Sequence, residues 1–189
     1  NNRARSFLIT TPRKVVVRNN QLSSQMATFS ITGDLGLWNE SGPIVDLLIE
    51  NNVIDNSVFG GNGAQAIFFI EPQYPEKKNK EGIYSKNITI RNNIIKTFDS
   101  SILVAASIDG LTFENNQIFQ TDTYTPIFPN AKNISIENCT NVVFKGNTYK
   151  KIDGKEVTIS IDEKSTNVKI DKGDAFSSAS KKMKSTSKK

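Results

Sequence analysis

A short pattern of alternating apolar residues that ends in Asn-Asn recurs along the chain and limits the folds open to it. The copies read VVVRNN at 15–20, LLIENN at 47–52, ITIRNN at 88–93 and LTFENN at 111–116, with a degenerate copy, VVFKGN, at 142–147. Segments of a second kind lie between them: SFLITT at 6–11, ATFSITG at 27–33, QAIFFIE at 65–71, SILVAAS at 101–107 and NISIENC at 133–139. Both kinds alternate with period two and are rich in β-branched residues, so they predict short strands.

The spacing of the second Asn favours a solenoid. This residue recurs at Asn20, Asn52, Asn93, Asn116 and Asn147, at intervals of 32, 41, 23 and 31 residues. A basic unit of about 23 residues with loop insertions is typical of a right-handed parallel β-helix, in which each coil is one rung. A β-sandwich would show turn signals every ~8–12 residues and no shared Asn position. We therefore expect an all-β solenoid whose unit is a strand, a turn and a second strand ending in Asn.

The repeated Asn residues have a structural explanation. Asn tolerates the left-handed backbone conformation of a tight corner, and stacked rungs would let the side-chain amides hydrogen-bond along the stack. We predict a structural role for all five. The inward residues of the second strands should form the core: Val17, Ile49, Ile90, Phe113 and Phe144.

Charge divides the chain into a body and a tail. Residues 175–189 hold five Lys and no acid, which leaves 19 basic against 19 acidic residues elsewhere. We predict β-helix rungs with closing strands over 1–172 and a disordered Ser/Lys-rich tail over 173–189. The tail is a solvated terminus or an anchor for an acidic partner. The neutral body predicts no nucleic-acid interface.

The first rung has no cap, so we expect preceding rungs in a longer protein, or association of exposed strand edges in a homodimer.

Composition excludes several chemistries. The chain has no His and one cysteine, Cys139, which excludes Ser-His-Asp and Cys-His catalysis, a His- or Cys-based metal site and an internal disulfide. We expect neither a metal nor a cofactor. No apolar run approaches the ~18–20 residues of a membrane span. Acid–base chemistry would have to come from Asp, Glu, Lys or Tyr.

The turn between the two strands of a unit varies most and indicates a site. It grows to residues 34–46 in the second unit and 72–87 in the third, which places two loops at one corner of adjacent rungs. Asp34 and Glu71 are the predicted catalytic carboxylates of this corner. Rungs stack ~4.8 Å apart, so neighbouring carboxylates can reach the ~5–9.5 Å separations of glycoside hydrolases.

Other residues near this corner suit sugar binding. Trp38 and Glu40 lie in the first loop and Tyr74 in the second, where an aromatic beside carboxylates can stack on a sugar. Arg3 and Arg5 flank the start of the first rung and are expected at the same corner. They would bind sugar hydroxyls or pair with the acids.

Several strings resemble a known family: RARSFLITTPRKVVVRNN from residue 3, GDLGLWNESGP from residue 33 and FDSSILVAASIDGLTFENNQI from residue 98. They are similar to the β-helix of glycoside hydrolase family 110, whose members are exo-acting bacterial α-1,3-galactosidases. The resemblance implies the C-terminal part of an enzyme that removes terminal galactose with inversion and without metal. A galactose-terminated glycan is the implied substrate, and a periplasmic or secreted location follows from it. Loop geometry favours Glu71 as the acid and Asp34 as the base or a hydroxyl binder, with Trp38 stacked on the sugar.

Two other functions remain open for a β-helix with these residues. A non-catalytic carbohydrate-binding or adhesion module would use the same aromatic and carboxylate groups without cleavage. A polysaccharide lyase would need Ca²⁺ held by clustered Asp residues, and the sequence shows no tight Asp cluster.

Overall fold

The chain forms a stack of rungs, each built from up to three short strands. The structure, a computed structural model, describes residues 2–33, 42–60, 66–73, 82–152 and 156–179. The first rungs contain β1 (Phe7–Leu8), β2 (Val15–Arg18), β3 (Gln21–Leu22); β4 (Phe29–Ile31), β5 (Leu47–Glu50), β6 (Val53–Asp55); and β7 (Phe68–Ile70), β8 (Ser85–Arg91), β9 (Ile94–Thr97). The later rungs contain β10 (Leu103–Ala106), β11 (Ile108–Glu114), β12 (Gln117–Gln120); β13 (Ile134–Glu137), β14 (Thr140–Lys145), β15 (Thr148–Lys150); and β16 (Ile159–Ile161), β17 (Thr166–Ile170).

Corresponding strands of successive rungs pair in parallel and form three sheets. The first sheet has the order β1-β4-β7-β10-β13-β16, the second β2-β5-β8-β11-β14-β17 and the third β3-β6-β9-β12-β15. All these pairings are parallel. The predicted parallel β-helix is therefore confirmed. We call the turn from first to second sheet the first corner, from second to third the second corner, and from third back to first the third corner.

The third sheet was absent from the predicted two-strand unit, which was incomplete. Its strands are two to four residues long and begin directly after the Asn pair, so they read as part of a turn. Each nevertheless points an apolar residue inward, as Ile54, Ile95 and Ile118 show by being at most 1% exposed. The three sheets surround one core, so each short strand needs to bury only its inward face.

The two Asn residues at the second corner have different roles. The first of each pair adopts a left-handed backbone, with φ of 58° at Asn19, 55° at Asn51, 54° at Asn92 and 52° at Asn115; Gly146 takes the same position at 66°. The second forms a ladder. Asn52 Nδ2 donates to Asn93 Oδ1 at 3.0 Å, and the Asn52 N–H donates to the same oxygen. The predicted structural role is confirmed. The left-handed conformation, however, belongs to the first residue of each pair, and the hydrogen-bonded stacking belongs to the second.

The ladder runs in one direction and ends on a carboxylate. Amide Nδ2 atoms donate to the next Oδ1 from Asn20 through Asn147 at 2.9–3.1 Å. Asp174 Oδ2 then accepts from both the Nδ2 and the backbone N–H of Asn147, at 2.7 and 2.9 Å. Asp174 thus closes the array, because a carboxylate accepts hydrogen bonds and needs no further acceptor beyond it.

Apolar columns fill the space between the sheets. The predicted core residues are confirmed, since Val17 is 7% exposed and Ile49, Ile90, Phe113 and Phe144 are fully buried. Phenylalanines stack through the first rungs, with ring centroids 5.4 Å apart for Phe7 and Phe29 and 5.3 Å for Phe29 and Phe68. Such columns arise because register places equivalent positions of each rung directly over one another.

The folded part extends past the predicted boundary at residue 172. Asp174 is 3% exposed, and Phe176 is fully buried against Phe113 and Phe144. Residues 177–179 form one short helical turn. The rest of the predicted tail, residues 180–189, lies outside the described residues. No helix in the described part is long and apolar enough to cross a membrane.

The outer face of the second sheet bears a column of alternating charges. The register aligns Arg18 with Glu50, Glu50 with Arg91, and Glu114 with both Arg91 and Lys145. Arg91 donates to Glu50 Oε2 at 2.8 Å, and Lys145 Nζ lies 2.7 Å from Glu114 Oε2. The hydrogen bond to Glu114 and its charge raise the pKa of Lys145 above its usual value. The charged residue that precedes Asn-Asn in the sequence pattern therefore pairs between rungs.

Candidate functional site

Carboxylates collect at the first corner, where the strands of the first sheet end. Glu71 directly follows β7, Glu137 ends β13 and Asp162 directly follows β16. The register aligns Ile70 with Ala105, Ala106 with Glu137, and Ile136 with Ile161. Extending each pairing by one residue gives a column of Glu71, Ala106, Glu137 and Asp162 on successive rungs.

Ala106 opens a gap between two of these carboxylates. With rungs ~4.8 Å apart, the backbones at Glu71 and Glu137 are about 10 Å apart, with one small side chain between them. The gap belongs to a cleft of about 190 Å³ whose lining includes Glu71, Ser107, Glu137, Asn138 and Lys164. Flexible Glu side chains across a gap of this size can approach a ligand from two sides.

The three carboxylates have different surroundings. Asp162 is occupied by backbone donors of two rungs, because its Oδ1 accepts the N–H groups of Asn138 in the preceding rung and of Ser165 in its own turn, at 3.0 Å each. Glu137 is exposed, and its carboxylate makes no hydrogen bond or ion pair within the described part of the chain. Glu71 is half-buried and has interaction partners. Glu137 is therefore the acid of this column that is open to a ligand, and Glu71 is the half-buried acid that faces it across the cleft.

Other chemistry at this corner is restricted. Cys139 is buried, and burial raises the pKa of its thiol to about 11, so the thiol stays protonated at neutral pH. Its Sγ donates to the carbonyl of Ala105 at 3.5 Å and of Glu137 at 3.2 Å. Among the described residues, no three carboxylate, thiol or imidazole groups come together in a way that could hold a metal ion.

Gly33 marks the point where the second rung meets the third at this corner. A Cβ at Gly33 would overlap the phenol group of Tyr84, so only glycine allows this close approach. The Gln73 N–H also donates to the Gly33 carbonyl at 2.7 Å. Asp34 follows Gly33 in the chain and lies outside the described residues. Tyr84 and Glu71 therefore belong to the rung that packs against the start of the loop containing Asp34.

The predicted site residues are placed unequally. Glu71 lies at the first corner, where the sequence put it. Four others lie outside the described residues: Asp34, Trp38, Glu40 and Tyr74. Their roles stay predictions, as does the catalytic role of Glu71.

The two arginines do not lie at the first corner. The Met26 N–H donates to the Ala4 carbonyl and the Asn2 N–H to the Ser23 carbonyl, which places Arg3 and Arg5 at the third corner. They precede β1, whereas Glu71 follows β7, so they lie at opposite ends of the first sheet. In register, Arg5 and Glu71 are five positions apart, about 17 Å along a strand, and Arg3 lies further away. Both arginines are exposed.

Two residues of this corner were missed in the sequence. Glu137 of NISIENC and Glu71 of QAIFFIE fall at the same position if the two segments are aligned on their Ile-Glu dipeptides. That alignment would have predicted the column. Tyr84 had no comparable signal, because its role depends on a glycine 51 positions earlier in the chain.

Comparison with known proteins identifies relatives that share the name α-1,3-galactosidase. The chain is 36% identical over 179 residues to α-1,3-galactosidase B of Bacteroides thetaiotaomicron, covering 92% of the chain and 28% of the relative. It is 34% identical over 146 residues to α-1,3-galactosidase A of Bacteroides fragilis (77% and 24%) and 34% identical over 149 residues to α-1,3-galactosidase B of Akkermansia muciniphila (78% and 18%). No family model matches the chain. The chain spans about a quarter of the length of these curated relatives.

Proposed function

Because the chain is homologous to one segment of the bacterial α-1,3-galactosidases, we propose that it forms part of the active site of an enzyme that hydrolyses terminal α-1,3-linked galactose from glycans. The observation that carries this proposal is identity of 34–36% over 77–92% of the chain to relatives that all bear this name. The first corner supports it, because its carboxylates offer the groups that glycoside hydrolysis needs.

Glu71 is the proposed general acid. It directly follows a strand of the first sheet and is half-buried, so the backbone holds its position. A protonated carboxyl at this position can donate to the glycosidic oxygen of a bound sugar. The proton moves from Glu71 to that oxygen as the bond to the anomeric carbon breaks.

The second carboxylate activates water on the opposite face of the sugar. Asp34 is the proposed base, two residues beyond Thr32, which the register places over Glu71. Glu137 offers an alternative, since the gap at Ala106 leaves room for a sugar and a water between it and Glu71. An inverting enzyme needs its carboxyl groups ~6.5–9.5 Å apart for this purpose. The proposal therefore includes inversion at the anomeric carbon, whether Asp34 or Glu137 is the base.

Three variants of the intact protein test these roles. Glu71→Gln, Asp34→Asn and Glu137→Gln each remove one carboxylate with little change in shape, and Glu163→Gln removes an exposed carboxylate from a neighbouring turn as the matched control. Release of galactose from an α-1,3-digalactoside is followed by mass spectrometry. We expect a loss of about 10²–10⁴-fold for Glu71→Gln and for whichever base is used. Near-normal turnover in both Glu71→Gln and Asp34→Asn would contradict the assignment.

The stereochemistry is tested separately. Proton NMR of the first-formed sugar distinguishes β-galactose, which inversion gives, from α-galactose, which retention gives. Retention would contradict the two-carboxylate inverting reaction while leaving the galactosidase activity intact. Binding of the digalactoside without cleavage by the intact protein would favour the carbohydrate-binding module instead.

The substrate class also suggests where the protein works. Galactose-terminated glycans occur outside the cytoplasm, so we place the protein in the periplasm or outside the cell. Fractionation of the native organism with an antibody to this chain tests the location, and recovery in the cytoplasm alone would contradict it.

A further inference from the structure

A second groove lies at the third corner, which is at the opposite end of the first-sheet strands from Glu71. It has a volume of about 440 Å³, and its lining includes Gln21, Ser23, Asp55, Asn56, Phe59 and Tyr124. This volume is within the range of small-molecule sites. The groove shares no lining residue with the first-corner cleft. We propose that it is a surface binding site for a neutral oligosaccharide, separate from the site of hydrolysis.

Two insertions meet to build this groove. Residues 56–60 follow β6 in the second rung, and residues 121–128 follow β12 in the fourth. The fourth-rung segment folds back across two rungs, because Thr121 Oγ1 donates to Asn56 Oδ1 at 2.6 Å. Asp99 holds the same segment, since its Oδ2 accepts the N–H groups of Ile127 and Phe128 at 2.7 and 2.8 Å. The groove is therefore fixed by contacts between rungs.

Aromatic rings form one wall. Tyr124 stacks on Phe59 with centroids 5.6 Å apart, and meets the buried Phe98 edge-on at 5.2 Å. Tyr124 is nevertheless 48% exposed. Its ring is held in place by two neighbours while much of its surface remains open, which is the arrangement a sugar ring needs for stacking.

Backbone strain lies next to this wall. Val58 has a φ of 73°, a conformation that is a genuine outlier for a β-branched residue. It is 2% exposed and its N–H donates to the Ser24 carbonyl at 2.8 Å, so the surroundings hold it there. The bend directs the chain into Phe59. Strain that is held by neighbours tends to occur at functional sites, and here it points to this groove independently of the rings.

The floor offers hydrogen-bonding groups that are not used. The side chains of Gln21, Ser23 and Thr123 make no hydrogen bond within the described residues. Asp55 Oδ1 accepts from Asn56 Nδ2 at 3.0 Å, which leaves its other oxygen open. Amide, hydroxyl and carboxylate groups together can donate to and accept from sugar hydroxyls.

The charges of the groove favour a neutral ligand. Asp55 is the only charged residue among the described residues of the lining, and Lys96 pairs with it from outside the lining at 4.0 Å. An acidic ligand would meet this carboxylate and no cation in the lining, so it is disfavoured. A chain of uncharged hexoses fits both the rings and the free hydrogen-bonding groups.

Calorimetric titration of the intact protein with β-1,4-linked galactotetraose tests the proposal. This probe is neutral and has no α bond to cleave. We expect Tyr124→Ala to weaken binding about tenfold through the lost ring face. Gln21→Ala should weaken it about threefold through a lost hydrogen bond. Gln117→Ala is the matched control, since Gln117 stands in the same column of the third sheet as Gln21 but outside the groove. It should bind as wild type does.

Further measurements separate this groove from the proposed active site. Gln21→Ala and Gln117→Ala should both unfold at midpoints near that of wild type. A difference between their affinities for galactotetraose then reports on binding and not on stability. Glu71→Gln should keep full affinity for galactotetraose, and Tyr124→Ala should keep full turnover of a soluble digalactoside. The proposal is overturned if Gln21→Ala and Tyr124→Ala bind as tightly as Gln117→Ala, if Glu71→Gln alone abolishes binding, or if tetragalacturonate binds more tightly than the neutral probe.

Discussion

The second corner and the first corner follow opposite rules within the same rungs. At the second corner the first five rungs turn in the same way, with one left-handed residue followed by one ladder Asn. At the first corner the turn ranges from the single residue Ser107, between β10 and β11, to the long connection between β7 and β8. The comparison indicates that one corner sets the register of the stack. The other corner is then free to change length and to carry chemistry.

The largest effect should come from breaking the ladder in its middle. Asn116 is fully buried and its Nδ2 donates to Ile90 and Asn147, while its Oδ1 accepts from Asn93. Asn116→Ala leaves several buried groups unpaired and should lower the free energy of unfolding by about 3–5 kcal/mol. Urea denaturation measures it. Asn130→Ala, at an exposed Asn, is the control and should change little. A loss below 1 kcal/mol for Asn116→Ala would contradict the register-setting role.

Removal of the ladder's last acceptor should have the next largest effect. Asp174→Ala leaves Asn147 without its partner and should lower the free energy of unfolding by about 2–4 kcal/mol. Asp174→Asn keeps an accepting oxygen and should cost less. Equal losses in the two variants would show that the carboxylate charge, and not the acceptor geometry, closes the array.

The buried thiol of Cys139 at the first corner should make the stability of the fold depend on pH. Burial raises the pKa of Cys139 from 9.0 to about 11, because the folded state disfavours the thiolate. The stabilising contribution is complete below pH 9 and is lost as pH rises to 11, by about 2–3 kcal/mol. Denaturation between these pH values should show this slope in wild type. Cys139→Ala should reduce the slope, and an unchanged slope would contradict the prediction.

A smaller effect separates the two Asn roles. Asn92 has a φ of 54° and precedes the ladder residue Asn93. Asn92→Ala should lower the free energy of unfolding by about 1 kcal/mol, because alanine resists the left-handed conformation. Asn92→Gly should be close to wild type, since glycine adopts it freely. Denaturation curves distinguish the two, and equal losses would indicate that the Asn92 side chain itself is needed.

The smallest effect on stability is expected at the first corner. Glu137→Gln should change the free energy of unfolding by less than about 0.5 kcal/mol, because its carboxylate is exposed and makes no hydrogen bond or ion pair within the described residues. Calorimetric unfolding checks this. A larger loss would mean that the first corner also supports the stack and would weaken the contrast with the second.

The sequence predicted the repeats that are long enough to show a pattern, and missed the shorter strands and the irregular insertions. The Asn ladder and the core columns were predictable, since stacking requires the same residue types at the same position of each rung. The third sheet was missed because its strands are too short to show alternation. The third-corner insertions, residues 56–60 and 121–128, were missed because a unit of two strands has no third corner to which they could be assigned. Arg3 and Arg5 were misplaced because closeness to a strand in sequence does not say which end of the sheet a residue occupies.

The column of alternating charges on the second sheet has a consequence for how the stack assembles. Because the signs alternate from Arg18 to Lys145, a strand that skipped one rung would place Glu50 against Glu114 and Arg18 against Arg91. Like charges directly opposite each other destabilise a strand pair. The apolar residues of these strands are nearly interchangeable between rungs, but their charges are not. The charges of the second sheet therefore disfavour a stack in which one coil has been skipped.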